Sequence, residues 1–96
     1  MKKILVNKCY GGFNFSDEMR KELSKRLGCE IIWDDEYAMN PEAIALFEER
    51  GSEWASGQRA KLKLVELPIE TTDFYINDCD GYESVVYVVN GKLNWA

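Results

Sequence analysis

Residues 4–19 read Ile4-Leu5-Val6-Asn7-Lys8-Cys9-Tyr10-Gly11-Gly12-Phe13-Asn14-Phe15-Ser16-Asp17-Glu18-Met19. An apolar run ends in a polar pair, two glycines and aromatics, and a helix signal follows. Ser16 is a natural N-cap, and Asp17 and Glu18 place acids in the first turn, where the helix dipole favours them. Met19, Leu23 and Leu27 then recur at i, i+4 and i+8 as one apolar stripe. Lys25, Arg26 and Gly28 close the helix. The stretch therefore predicts a buried strand over Lys2 to Lys8, a glycine corner, and a helix from Ser16 to Gly28.

The rest follows from this start. Cys29 to Trp33 predicts a second strand, which Asp34-Asp35-Glu36 stops with charge. Asn40-Pro41 opens a second helix to about Arg50, with Asn as cap and Pro in the first turn. Ile44 and Phe47 lie on its inner face, and Gly51 ends it. Residues 52–58 are a loop or short extra turn. Ala60 to Leu67 alternates, with Leu62, Leu64 and Glu66 on one side and Lys61, Lys63, Val65 and Leu67 on the other. Pro68 ends it. Asp73 to Asn77 and Glu83 to Val89 flank Asp80-Gly81, a hairpin signal. Asn90-Gly91 is a stronger one, between Tyr87-Val88-Val89 and Leu93-Asn94-Trp95. The expected fold is α+β: a mixed or mostly antiparallel sheet, two helices on one face, and C-terminal β-hairpins.

Ninety-six residues form one domain with a single modest core. The chain is 46% apolar and 30% charged, ordinary for a globular protein. Asn7 and Lys8 interrupt the first apolar run before a signal-peptide core can form, so export is not expected. The remaining apolar runs are too short to span a membrane. Three widely spaced cysteines (Cys9, Cys29 and Cys79) do not make a disulfide framework and fit a reducing cytosol. Histidine is absent, which removes the commonest general base and zinc ligand.

The net charge of −5 is unevenly spread: residues 1–26 carry +4 and residues 27–96 carry −9. Such asymmetry suits either a polar encounter surface or ordinary solvated faces. The acidic balance disfavours general nucleic-acid binding.

The Gly11-Gly12 corner is the first place to look for a site. Glycines let a ligand approach the backbone, and the helix at Ser16 aims free N–H groups at an anion. Lys8 and Arg59 add positive charge. Yet the glycine spacing matches neither a dinucleotide fingerprint nor a P-loop, and a plain strand-to-helix turn with Tyr10 or Phe13 on the core explains it equally. Cys9, beside Lys8 and near a helix start, is a candidate nucleophile, but no Cys–His dyad can form. As a small buried hydrophobe it needs no function. Asp34-Asp35-Glu36 and Asp78/Asp80 are candidate carboxylate sites for acid–base or divalent-cation chemistry, or simple turn solubility. Tyr10, Trp54 and Tyr82 fall in expected loops, where exposed aromatics anchor partners or stack on bases.

The segments Asn7-Lys8-Cys9-Tyr10-Gly11-Gly12-Phe13 with Ser16, then Asn40-Pro41, Gly57, Ala60, Leu62, Lys63, Val65, Glu66, Pro68 and the Asp80-Gly81-x-Glu83 turn resemble a family of small bacteriophage and prophage proteins. The resemblance spans nearly the whole chain. The family pattern ends in a Lys/Arg-rich stretch before a final tryptophan. Here Asn90 to Trp95 carries only Lys92, so a basic C-terminal contact is not implied. The resemblance implies a phage accessory protein in the bacterial cytoplasm and implies no enzyme activity, cofactor or metal. The expectation is a binding protein that modulates the host or its defence. It would sequester a nucleotide-type ligand or contact a host or defence protein, through Asn7, Lys8, Cys9, Tyr10, Gly11, Gly12, Phe13, Ser16 and Arg59. A homo-oligomer is compatible with this. The alternatives are a small enzyme using Cys9 or Asp34/Asp35, and a virion or assembly component pairing through the C-terminal hairpin edge.

Overall fold

A computed structural model describes residues 2–96. Strand β1, Lys2–Asn7, carries four consecutive buried residues, Ile4 to Asn7, because both of its faces are covered. Helix α1, Asp17–Leu27, starts at Ser16, whose Oγ accepts from the Met19 N–H at 3.0 Å, and ends at Gly28. Its stripe buries Met19 and Leu23 completely. Asp34–Tyr37 forms one 3-10 turn. Helix α2, Pro41–Arg50, is capped by Asn40, whose Oδ1 accepts from Glu42 and Ala43. The short α3, Ser52–Ala55, is the extra turn. Strands β2 (Leu62–Leu67), β3 (Thr71–Cys79), β4 (Tyr82–Val89) and β5 (Lys92–Trp95) complete the chain. Asp80-Gly81 and Asn90-Gly91 both take positive φ at each position, the backbone that joins tight antiparallel hairpins.

The fold is α+β, and all strand pairing among the described residues is antiparallel. The strands divide between two sheets, β1-β2 and β3-β4-β5. One face of β1-β2 offers Leu5, Leu62 and Leu64 to Phe15, Met19, Leu23, Ile44 and Leu46 of the helical side. Its other face offers Ile4, Val6, Val65 and Leu67 to Phe74, Ile76, Val85 and Tyr87 of the three-stranded sheet. The two-stranded sheet is thus a middle layer between the helices and the larger sheet. Among the described residues, no helix is long and apolar enough to cross a membrane.

The strand expected over Cys29 to Trp33 does not form. That segment is irregular, and only Ile31 is buried, while Ile32 and Trp33 are 70% and 65% exposed. The edge of β1 that such a strand would pair with is used otherwise. The Leu5 N–H donates to the Ala38 carbonyl at 2.8 Å, and the Asn7 N–H donates to the Glu83 carboxylate at 2.8 Å. A short apolar run fits a strand and an irregular segment equally, and tertiary context decides between them.

Candidate functional site

The glycine corner is held by Asn7. Its fully buried side chain donates from Nδ2 to the carbonyls of Cys9 (2.6 Å) and Gly81 (2.7 Å), and its Oδ1 accepts from the Lys61 N–H (2.9 Å). One amide thereby joins β1, the corner, the start of β2 and the β3–β4 turn, with its hydrogen-bonding capacity used internally. Gly11 is needed because a side chain there would overlap the carbonyl and Cβ of Arg59, which itself has φ 60°. Gly81 in turn lies against the backbone of Gly12. Three chain segments therefore pack backbone to backbone at the corner.

The other expected site residues divide in two. Ser16 caps α1 and donates to the Trp54 carbonyl at 2.6 Å, and Phe13 packs edge-on against Phe15 at 5.3 Å. These serve the fold, like Asn7, Gly11 and Gly12. Tyr10 and Arg59 are exposed, and Lys8 and Cys9 are half-buried. Tyr10 stacks on Tyr82 with centroids 5.2 Å apart, and the Lys8 ammonium lies 5.2 Å from the centre of that same Tyr82 ring. Trp54 is half-buried in α3 beneath the Arg50 guanidinium.

Asp34 is committed to structure. Its Oδ1 and Oδ2 accept from Arg20 Nε and Nη2 at 3.0 and 2.8 Å, and Oδ2 also accepts from the Phe15 N–H at 3.1 Å. This bidentate pair ties α1 to the 3-10 turn, so the carboxylate is not free for acid–base work. The described residues bring together no group of three acidic or cysteine side chains that could hold a metal ion.

A second arrangement lies beside the corner. A cleft of about 590 Å³ is lined by Lys8, Lys61, Lys63 and Tyr82 on one rim and by Phe47, Ser52, Leu62 and Leu64 on the other. Antiparallel pairing builds it: the Lys8 N–H donates to the Lys61 carbonyl at 2.8 Å, continuing a register in which Val6 faces Lys63. Residues directly opposite share a face, so the lysines gather on one side. Lys8 Nζ donates to the carbonyls of Glu83 (2.7 Å) and Ala96 (3.2 Å). Lys61 and Lys63 meet no carboxylate among the described residues, in a chain whose net charge is −5.

The electrostatics reflect this crowding. Burial lowers the Lys8 pKa below the ordinary lysine value, and the nearby Lys63 charge lowers it further, against an upward pull from Glu83. The Glu83 carboxyl is pushed up from its ordinary value, first by burial and then by Asp78 and Asp35. The Asn7 N–H and Lys8 pull it back.

Sequence reading found Lys8 and missed Lys61, Lys63 and Glu83 as neighbours. The alternating lysines of Ala60 to Leu67 were visible, but only the β1–β2 register brings them to Lys8. No protein-family model, curated protein or solved structure matches this chain.

Proposed function

We propose that this protein is a non-enzymatic accessory binding protein that holds an anionic partner in the cleft lined by Lys8, Lys61 and Lys63. One observation carries the reading: like charges converge on one rim of an open cleft, and two of them have no counter-ion within the described residues. An arriving anion relieves that repulsion, which makes the cleft a favoured landing place on an otherwise acidic molecule. The resemblance to phage and prophage proteins supports a host or defence protein as the partner.

A nucleotide-type ligand is the second reading, favoured by Tyr10, which is 70% exposed next to the cleft. Stacking of a base on Tyr82 is disfavoured, because Tyr10 and Lys8 already pack against its ring.

Titration calorimetry with inorganic tripolyphosphate and with ATP tests the site. The reading expects saturable one-to-one binding that Lys61→Glu with Lys63→Glu removes. Binding of ATP alone, reduced by Tyr10→Ala, moves the assignment to the nucleotide. Binding that is unchanged in the double variant overturns the site.

A further inference from the structure

The same cleft runs along an outer strand edge. Among the described residues, strand β2 pairs only with β1. The hydrogen bonds fix which of its residues face outward. Lys61 turns its carbonyl to β1, whereas Leu62 points away: its N–H donates to Ser56 Oγ at 2.9 Å, and its carbonyl accepts from Ser52 Oγ at 2.6 Å. By the two-residue period, Leu64 and Glu66 also turn their N–H and C=O groups outward. No hydroxyl or backbone group of the described residues meets them. The edge is therefore closed at Leu62 by two serines and open from Leu64 to Glu66.

The two rims of the cleft differ, and the difference has the strand period. Lys61 and Lys63 stand on one face of β2, while Leu62 and Leu64, with Phe47 of α2, lie on the other. A strand added at this edge would send alternate side chains to the two rims. Its residues on one side would meet the Lys63 ammonium, and those on the other the apolar wall of Leu64 and Phe47, which ends at the Glu66 carboxylate.

We propose that the partner binds as an extended peptide segment with alternating acidic and apolar residues, adding an antiparallel strand to β2 at Leu64 and Glu66. Main-chain hydrogen bonds supply affinity, and the two rims select the sequence. The inference rests on the anionic-partner reading and narrows it to peptide chemistry. Charge complementarity carries the choice of occupant: Lys63 beside the open edge, and Lys61 farther along the same face, meet no counter-ion among the described residues.

An acetylated and amidated eight-residue peptide alternating glutamate and valine is the probe. Nuclear magnetic resonance on isotopically labelled protein reads both its binding and the hydrogen exchange of individual amides. Saturable binding is expected, with slowed exchange at the Leu64 and Glu66 amides. Lys63→Glu should weaken it about tenfold or more, as loss and reversal of a cleft charge does. The same peptide N-methylated at alternate residues, unable to complete the ladder, should bind at least tenfold more weakly. Equal binding of the N-methylated peptide, or binding that leaves Leu64 and Glu66 exchange unchanged, overturns strand addition while tripolyphosphate binding keeps the anion cleft. Failure of both peptide and tripolyphosphate overturns the cleft as well, and leaves Lys61 and Lys63 as the charged edge residues that keep strands from aggregating.

Discussion

The glycine corner and the β2 edge lie side by side, and they differ in how they use their polar groups. At the corner, the Asn7 amide, the Lys61 N–H and the carbonyls of Cys9 and Gly81 are all paired inside the protein. Along the edge, Leu64 and Glu66 have backbone groups, and Lys61 and Lys63 ammonium groups, that meet no partner among the described residues. The corner has the more distinctive sequence, the edge the more available chemistry. A motif-rich segment can be distinctive because its packing is demanding. A site announces itself by what remains unpaired.

The largest expected effect breaks the corner. Asn7→Ala leaves the Lys61 N–H and two carbonyls without their partner at a part-buried corner. It should cost about 3 kcal/mol of stability in urea unfolding, since each unsatisfied buried group costs ~1–3 kcal/mol. A loss below about 1 kcal/mol would show that the amide is not the joint between the two sheets. Gly11→Ala comes next. Its methyl group overlaps Arg59, and overpacking of this kind costs about 2 kcal/mol. Thermal unfolding reads it directly, and an unchanged midpoint would mean that the corner can relax.

Glu83→Gln sharpens the boundary between the two regions. The folded-state pKa of Glu83 is raised, so its titration favours the fold below the unfolded value of about 4.3. That contribution is lost as pH rises through the folded value. Wild type should therefore gain stability relative to Glu83→Gln on acidification from neutral pH, and lose that advantage again on return. A pH-independent difference would contradict the burial of the carboxyl.

The smallest effect belongs to the edge. Lys63→Gln should change stability by no more than about 0.5 kcal/mol, as an exposed substitution away from any buried network does. It should also raise the Lys8 pKa, because one of the charges depressing it is gone. Side-chain nitrogen shifts followed through an alkaline titration would read this. Anion binding in wild type should weaken as pH rises through the Lys8 value, whereas Lys8→Arg, which keeps its charge, should hold its affinity further into alkali.

Local signals were legible wherever one segment determines itself. Ser16, Met19, Leu23 and Gly28 specify α1, Asn40-Pro41 starts α2, and Asn90-Gly91 makes the last hairpin. Each acts on neighbours within a turn or two of chain. What needed the folded chain was of longer range. Cys29 to Trp33 has strand composition, but Ala38 and Glu83 occupy the edge it would have joined. Asp34 reads as a charged stop until Arg20 closes on it from α1. Lys61 and Lys63 join Lys8 only through a register set by chain segments more than fifty residues apart. Of the expected site, Lys8 and Tyr10 remain at the cleft or its margin, while Asn7, Gly11, Gly12, Phe13 and Ser16 shape the ground beneath it.

Native-state hydrogen exchange on the free protein tests the contrast most directly. The Lys63 and Val65 amides, which face β1, should be protected, and so should the Asn7 and Lys61 amides at the corner. The Leu64 and Glu66 amides between them should exchange near the rate of an unstructured chain. An alternation of slow and fast along β2 is the predicted result. Protection of Leu64 and Glu66 equal to that of Lys63 and Val65 would mean that the edge is already closed, and would contradict the account.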